Sequence, residues 1–471
     1  MIFHPQNLVR TEGEYVFSAS VQALAHPALN KAATCEFFHN FSFGCSEIEF
    51  SECEEYIFRI GRADPIPLGE SDYTIRIAES GICLLADGEQ NLLKGFMTLL
   101  DRIKATDTES GTAAAAECCE IRDRARIRNR MVHFCVFPET TLWELQRLLR
   151  LAAALKYTHA VVEFWGMLKL DSMKELSWPF GYEKDEAKKI LSEARDLGLE
   201  IIPMFNHWGH AAAAREMHGK HVVLDQNPAL QTYFSEDGWR WDFSKEKVRA
   251  LHKKIRHELI EVCGEGKYFH IGCDEPRGFA FTREEMDLAC AYIEEIAADM
   301  EAEGRRIILW ADTLLWNDPA YDKSEGFYCA APTAEAALYM RDHLPKSVIA
   351  ADWQYGFVKA PVATSEALKN AGFDCLLCPW EKGEAHAEAT AKSVLKSELF
   401  GFLQTTWHTL SRRMPILTMM AKGAYEPIGT EENSIFIPYQ TVTAALLRKV
   451  MPVKGDYAKA GWSPSEVSFL W

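Results

Sequence analysis

Residues Lys267 to Pro276 read KYFHIGCDEP: a short apolar run, a glycine, and two adjacent carboxylates, Asp274 and Glu275. Successive side chains on a strand point to opposite faces, so neighbouring acids share one environment only where the strand is ending. At the C-terminal mouth of a parallel barrel both can turn toward a pocket, where burial and mutual repulsion push their proton affinities apart. One then serves as a protonated general acid while the other stays charged. The plain alternative is a strand followed by an ordinary acidic loop. His270 and Gly272 ahead of the pair favour the pocket.

The same test extends to the other strand ends. Runs read as strands finish in Glu163-Phe164-Trp165, Asn206-His207-Trp208-Gly209-His210, Trp310 with Asp312, Trp353, Trp380-Glu381, and Trp407-His408. Tryptophan and acid recur together. That pairing suits a carbohydrate, whose C–H faces stack on aromatic rings and whose hydroxyls donate to carboxylates. A single tryptophan of this kind would be rim packing; four or more at equivalent positions indicate a pocket. His207 and His210 lie at i, i+3 in a glycine-containing loop, without an HExxH pattern, so no metal and no cofactor are expected. Neither a phosphate-binding glycine loop nor a G-x-S-x-G elbow is present.

Strand and helix alternate from about Arg130, the signature of a parallel sheet. Strands are expected at Met131 to Phe137, Ala160 to Phe164, Leu199 to Phe205, Tyr268 to Gly272, Arg306 to Trp310, Val348 to Trp353, Cys375 to Trp380 and Gly401 to Trp407. Helices fall between most of them. Leu142 to Lys156, Asp185 to Leu197, and a helix capped by Ser244 with Val248, Leu251, Ile255 and Leu259 on its apolar face are three. Thr282 and Glu285 suggest a capping box for a fourth. Eight strands make an α/β fold, a (β/α)8 TIM barrel. Ahead of it, Tyr73 to Ala86 reads as a hairpin and Gln90 to Lys104 as a helix of a smaller α/β domain, with Thr106 to Ala116 as a loop or linker. The division expected is 1–118 for a non-catalytic domain, 119–451 for the barrel and 452–471 for a tail.

Bulk properties narrow the class. A chain of 471 residues can hold more than one domain, since a barrel uses about 250. A net charge of −17 and short, interrupted basic stretches such as Arg122 to Arg130 argue against nucleic acid. No signal peptide is evident at the N-terminus, and nothing approaches the ~18 apolar residues of a membrane helix. Thirteen cysteines lack metal-ligand spacing, which fits free thiols in the cytoplasm.

With these residues in view, the chain resembles the family 20 glycoside hydrolases, the β-N-acetylhexosaminidases. Their fourth-strand motif H-x-G-G-D-E is matched by HIGCDE, with Cys273 in place of the second glycine. IIPMFNHWGH resembles their third strand, with His210 matching its histidine. EIRDRARIRNR resembles the segment that carries an arginine gripping the terminal sugar, at Arg130. The resemblance implies a hydrolase, a retaining glycosidase acting from the non-reducing end on an oligosaccharide or glycoconjugate. The substrate's own 2-acetamido oxygen would be the nucleophile. Asp274 would orient the acetamido N–H. Glu275 would protonate the leaving oxygen and then deprotonate water. Substrate contacts would come from Arg130, Glu163, His210, His270, Trp310, Asp312, Trp353, Tyr355, Trp380, Glu381 and Trp407. His210 is expected to couple Glu275 to Glu163.

Three departures stand out. Cys135 replaces an aspartate, Thr409 replaces an acid beyond the last tryptophan, and CLLCPWEKG lacks the tyrosine that clasps the acetamido oxygen, for which Tyr355 could substitute. Two other readings compete. One is a two-carboxylate retaining β-glycosidase with Glu275 as acid/base and Glu381 as nucleophile. The other is a non-catalytic sugar-binding barrel.

Overall fold

The computed structural model describes residues 5–109, 111–212, 223–407, 414–426 and 438–452. Eight parallel strands close into a barrel: Asn129–Val136, His159–Phe164, Glu200–Met204, Tyr268–His270, Arg306–Trp310, Ile349–Trp353, Asp374–Cys378 and Gly401–Thr405. Each is covered by helices outside and by side chains within, so its residues are buried on both faces. His159–Phe164, HAVVEF, has no exposed position. Met131, Val161, Ile202, Ile308, Ile349 and Leu403 fill the interior. The barrel is a packed core with one working end.

The helices form where sequence gives both a start and an apolar stripe. Leu142–Ala154 opens on a reciprocal cap, with the Glu144 amide donating to Thr141 Oγ1 (3.1 Å) and the Thr141 amide donating to Glu144 Oε2 (2.8 Å). Arg283–Ala302 starts at Thr282, whose hydroxyl accepts from the Glu285 amide. Ser244 is not the cap of its helix. That helix is Glu246–Cys263, preceded by Lys245, and Ser244 donates to Asp242 instead (2.5 Å).

The N-terminal domain is an eight-stranded, mostly antiparallel sheet with helices Ala32–Phe41 and Glu89–Leu100. Its hairpin Tyr73–Ala78 and Gly81–Ala86 is as expected. The stretch Thr106 to Ala116 is not a linker. Ile103–Thr108 and Gly111–Asp123 pair antiparallel, and the second strand continues past residue 118 to Asp123 while also pairing with Asn7–Val16 and Tyr73–Ala78. Threonine and alanine look like loop composition, yet Ala114, Ala115 and Ala116 are fully buried, and their small side chains suit a strand that is covered closely. Helix Glu89–Leu100 then packs on barrel helix Leu142–Ala154. Buried Lys94 crosses that seam, donating to the carbonyls of Tyr157 (2.5 Å) and Gly198 (2.9 Å).

Among the described residues, no helix is long and apolar enough to cross a membrane.

Candidate active site

The fourth strand is only three residues long because the chain turns sharply after His270. Gly272 has φ +68°, and a Cβ there would lie 2.5 Å from Asn206 Cγ, so the position excludes a side chain. His270 is fully buried, and its Nδ1 accepts from the Gly272 amide (3.1 Å). Cys273 (φ 77°) and Glu275 (φ 44°) are also left-handed, as are His210 (53°) and Trp407 (38°). Such conformations persist only where surroundings enforce them, and here four converge on one end of the barrel.

The kink turns both acids to one partner. His210 Nε2 lies 3.3 Å from Asp274 Oδ2 and 3.1 Å from Glu275 Oε2. The two carboxylates differ in access. Asp274 is 8% exposed at its side chain, whereas Glu275 is 26% exposed. Asn206 fixes the inner one: its amide donates to Asp274 Oδ1 (2.5 Å) while its oxygen accepts from the amides of Cys273 (3.0 Å) and Trp208 (3.2 Å). Gly209 lets the third-strand loop approach, since a Cβ there would meet Asp274 O at 2.3 Å.

Glu275 is held through its backbone. Asp312 Oδ2 accepts from its amide (2.9 Å), and its carbonyl accepts from Trp239 Nε1 (2.7 Å). The Trp239 ring also packs on His210 at 4.4 Å and carries the Arg277 guanidinium at 4.1 Å. Burial, and then the charge of Asp274, hold the Asp312 carboxyl well above the usual carboxylate range. Asp312 also accepts from Trp353 Nε1 (3.4 Å).

An aromatic wall faces these acids. Tyr355 lies 5.5 Å from Trp353 and 5.2 Å from Trp380 between ring centroids, and its hydroxyl accepts from Trp407 Nε1 (2.5 Å). Tyr328 stacks on Trp353 at 4.6 Å. Trp353, Tyr355, Trp380, Glu381 and Trp407 are all partly exposed.

Several expected residues lie elsewhere. Arg130 is at the barrel floor, not the mouth. It is the second residue of the first strand, and parallel strands present only their C-terminal ends to the site. Its guanidinium donates to the carbonyls of Lys156 (2.9 Å), Ile127 (2.8 Å) and Arg128 (3.0 Å) and packs over Tyr425. Trp310 is fully buried beneath the pocket, packed on His270 (4.3 Å) and Trp407 (5.6 Å), so it and His270 shape the site from below. The acid that His210 couples to Glu275 is Asp274. Glu163, expected in that place, is buried against His133 (3.3 Å) and Trp165 Nε1 (3.0 Å). His207 is a core residue whose Nδ1 contacts the carbonyl of Phe205 (2.7 Å) and whose Nε2 contacts Arg256 (3.3 Å). Burial and that guanidinium lower its pKa to about 3. His408 and Thr409 lie outside the described residues.

Three contributors escaped the sequence reading as site residues: Asn206, Trp239 and Tyr328. Asn206 ends the third strand, which is a usable signal. Trp239 and Tyr328 come from loops, where neither periodicity nor spacing marks a residue.

Comparison with known proteins bears on the family and the fold. Residues 160–381 match the model for "Glycosyl hydrolase family 20, catalytic domain". The fold is similar to a GH20 exo β-N-acetylglucosaminidase from Vibrio harveyi, solved with N-acetylglucosamine, at TM-score 0.68 and 16% identity, covering 96% of this chain and 77% of that one. It is also similar to the GH20 β-N-acetylhexosaminidase of Streptomyces coelicolor A3(2), at TM-score 0.66 and 15% identity over 98% of each chain. Among curated proteins, a lacto-N-biosidase from Bifidobacterium bifidum is 19% identical over 268 residues, 53% of this chain. The chain spans about a quarter of that relative's length, 23%.

Proposed function

Residues 160–381 match the catalytic-domain model of glycosyl hydrolase family 20, and from that premise we propose a retaining, exo-acting glycoside hydrolase that removes a terminal β-linked N-acetylhexosamine with the substrate's acetamido oxygen as nucleophile. The observation that carries this reading is one histidine shared by two adjacent carboxylates of unequal exposure. A two-carboxylate enzyme needs its acids ~5 Å apart on either side of the bond. Here the two adjacent carboxylates share one histidine nitrogen, at 3.3 and 3.1 Å, rather than facing each other across a cleft, which suits a substrate that supplies its own nucleophile. Buried Asp274, pinned by Asn206, orients and polarises the acetamido N–H. Glu275, open to solvent, gives its proton to the leaving oxygen and later takes one from water. His210 contacts both and so ties the position of one to that of the other.

Tyr355 stands in the wall beside these acids and is the group we assign to the acetamido oxygen. Trp353, Trp380 and Trp407 offer ring faces to the sugar, and Glu381 offers a hydroxyl acceptor. Thirteen free thiols support a cytoplasmic location, and the net charge of −17 supports a neutral sugar over a polyanionic partner.

Paired aryl glycosides, with and without the 2-acetamido group, test the proposal. Only the acetamido member should turn over, and a thiazoline mimic of the cyclised intermediate should inhibit. Equal hydrolysis of both, with a 2-fluoro sugar labelling Glu381, would replace substrate assistance by an enzyme nucleophile. No hydrolysis of either would leave a sugar-binding barrel.

A further inference from the structure

We propose that His133, Cys135 and Glu163 form a tetrahedral site for a divalent d-block cation, zinc above all. His133 and Cys135 are two apart on the first barrel strand, so both face the interior, like Met131 before them. Glu163 stands in register with Cys135 on the second strand. The potential ligand atoms form a near-regular triangle: His133 Nε2 to Glu163 Oε2 is 3.3 Å, His133 Nε2 to Cys135 Sγ is 3.6 Å, and Cys135 Sγ to Glu163 Oε2 is 3.7 Å. Zinc holds nitrogen and oxygen at about 2.0–2.2 Å and sulfur at about 2.3 Å, which in a tetrahedron separates such ligands by roughly 3.3–3.7 Å. The triangle therefore needs almost no rearrangement to close on an ion.

Charge and surroundings agree. All three residues are buried, and a thiolate with a carboxylate neutralises a divalent cation, leaving no net charge in the interior. Two of the ligands are held in place: Trp165 Nε1 donates to the ligating Glu163 oxygen, and the His133 ring packs nearly perpendicular to Trp310 (5.9 Å) and Trp407 (4.8 Å), its Nδ1 buried without a hydrogen-bond partner among the described residues. On binding, the Cys135 thiol loses its proton to solvent. His133 coordinates through Nε2 with its proton on Nδ1. Water completes the tetrahedron. The ion takes no part in the hydrolysis; it ties the first strand to the second behind the aromatic wall.

The test uses the full chain stripped with a chelator and titrated with Co(II), then Zn(II). One Co(II) per chain should give tetrahedral visible bands and a thiolate-to-cobalt charge-transfer band, both displaced by one Zn(II), and the metal should raise the Tm. Cys135→Ser should abolish the charge-transfer band and weaken binding by at least about tenfold. His133→Gln should weaken binding while keeping the thiolate band at high cobalt. Cys273→Ser, at another buried thiol of the mouth, should change neither. Sub-stoichiometric binding at micromolar metal, or a spectrum that survives Cys135→Ser, overturns the proposal; the second result places the ion on other thiols or histidines.

Discussion

Two carboxylates on one histidine can be told apart by what each mutation spares. Glu275→Gln removes the general acid, a change that costs about 10²–10⁴-fold in rate. The loss should be smallest for nitrophenyl glycosides, whose leaving group needs little protonation, and largest for natural disaccharides. Asp274→Asn should hurt both alike, because the internal nucleophile must be oriented whatever departs. A Glu275→Gln enzyme equally crippled on both substrates would take the acid role away from that residue. Asp312 predicts a different observable. Its folded carboxyl is held above the ordinary value of 3.8 by burial and Asp274. Its contribution to stability is thus fully present below pH 3.8 and is lost as pH rises through the folded pKa, since the unfolded chain ionises first. Asp312→Asn, which keeps an oxygen for the Glu275 amide, should flatten that part of the pH dependence of Tm. An unchanged slope would show that Asp312 ionises as readily in the fold as out of it.

At the level of elements, the site is two loops in backbone contact, after the third and fourth strands. Gly209→Ala makes the point testable. A Cβ 2.3 Å from a carbonyl oxygen cannot be accommodated by a side-chain rotation, so the loop carrying Asp274 must move. Overpacking of this kind costs about 1–3 kcal/mol of stability, but a shift near 1 Å costs about 10²-fold in rate. Activity should therefore fall much further than stability; equal losses measured by kinetics and by thermal melts would refute the argument. Much of this was readable beforehand. The barrel alternation and the acid pair follow from periodicity and from where each strand stops; His210 is marked by the likeness of its loop to a family pattern. Arg130 was misplaced by likeness of pattern, although its position beside Asn129 at the beginning of a strand already put it at the far end. The Thr106 to Ala116 strands were hidden because small and β-branched residues serve both loops and closely covered sheets. Trp239 and Tyr328 reach the site through tertiary packing, which local sequence does not encode.

For the whole molecule, the N-terminal domain is pinned to the barrel near the starts of its second and third strands. Lys94 donates across the seam, Lys156 lies 3.4 Å from Asp123 and 3.7 Å from the Tyr425 ring, and Arg130 ties three floor carbonyls together. Among the described residues the barrel interior is packed, so the site is reached from the mouth and not through the barrel. Whatever is released there must leave by the path its parent used, and while it lingers it blocks the next arrival. Free monosaccharide product should consequently raise the apparent KM and leave kcat untouched. A lowered kcat at saturating substrate would mean the product had a second place to wait.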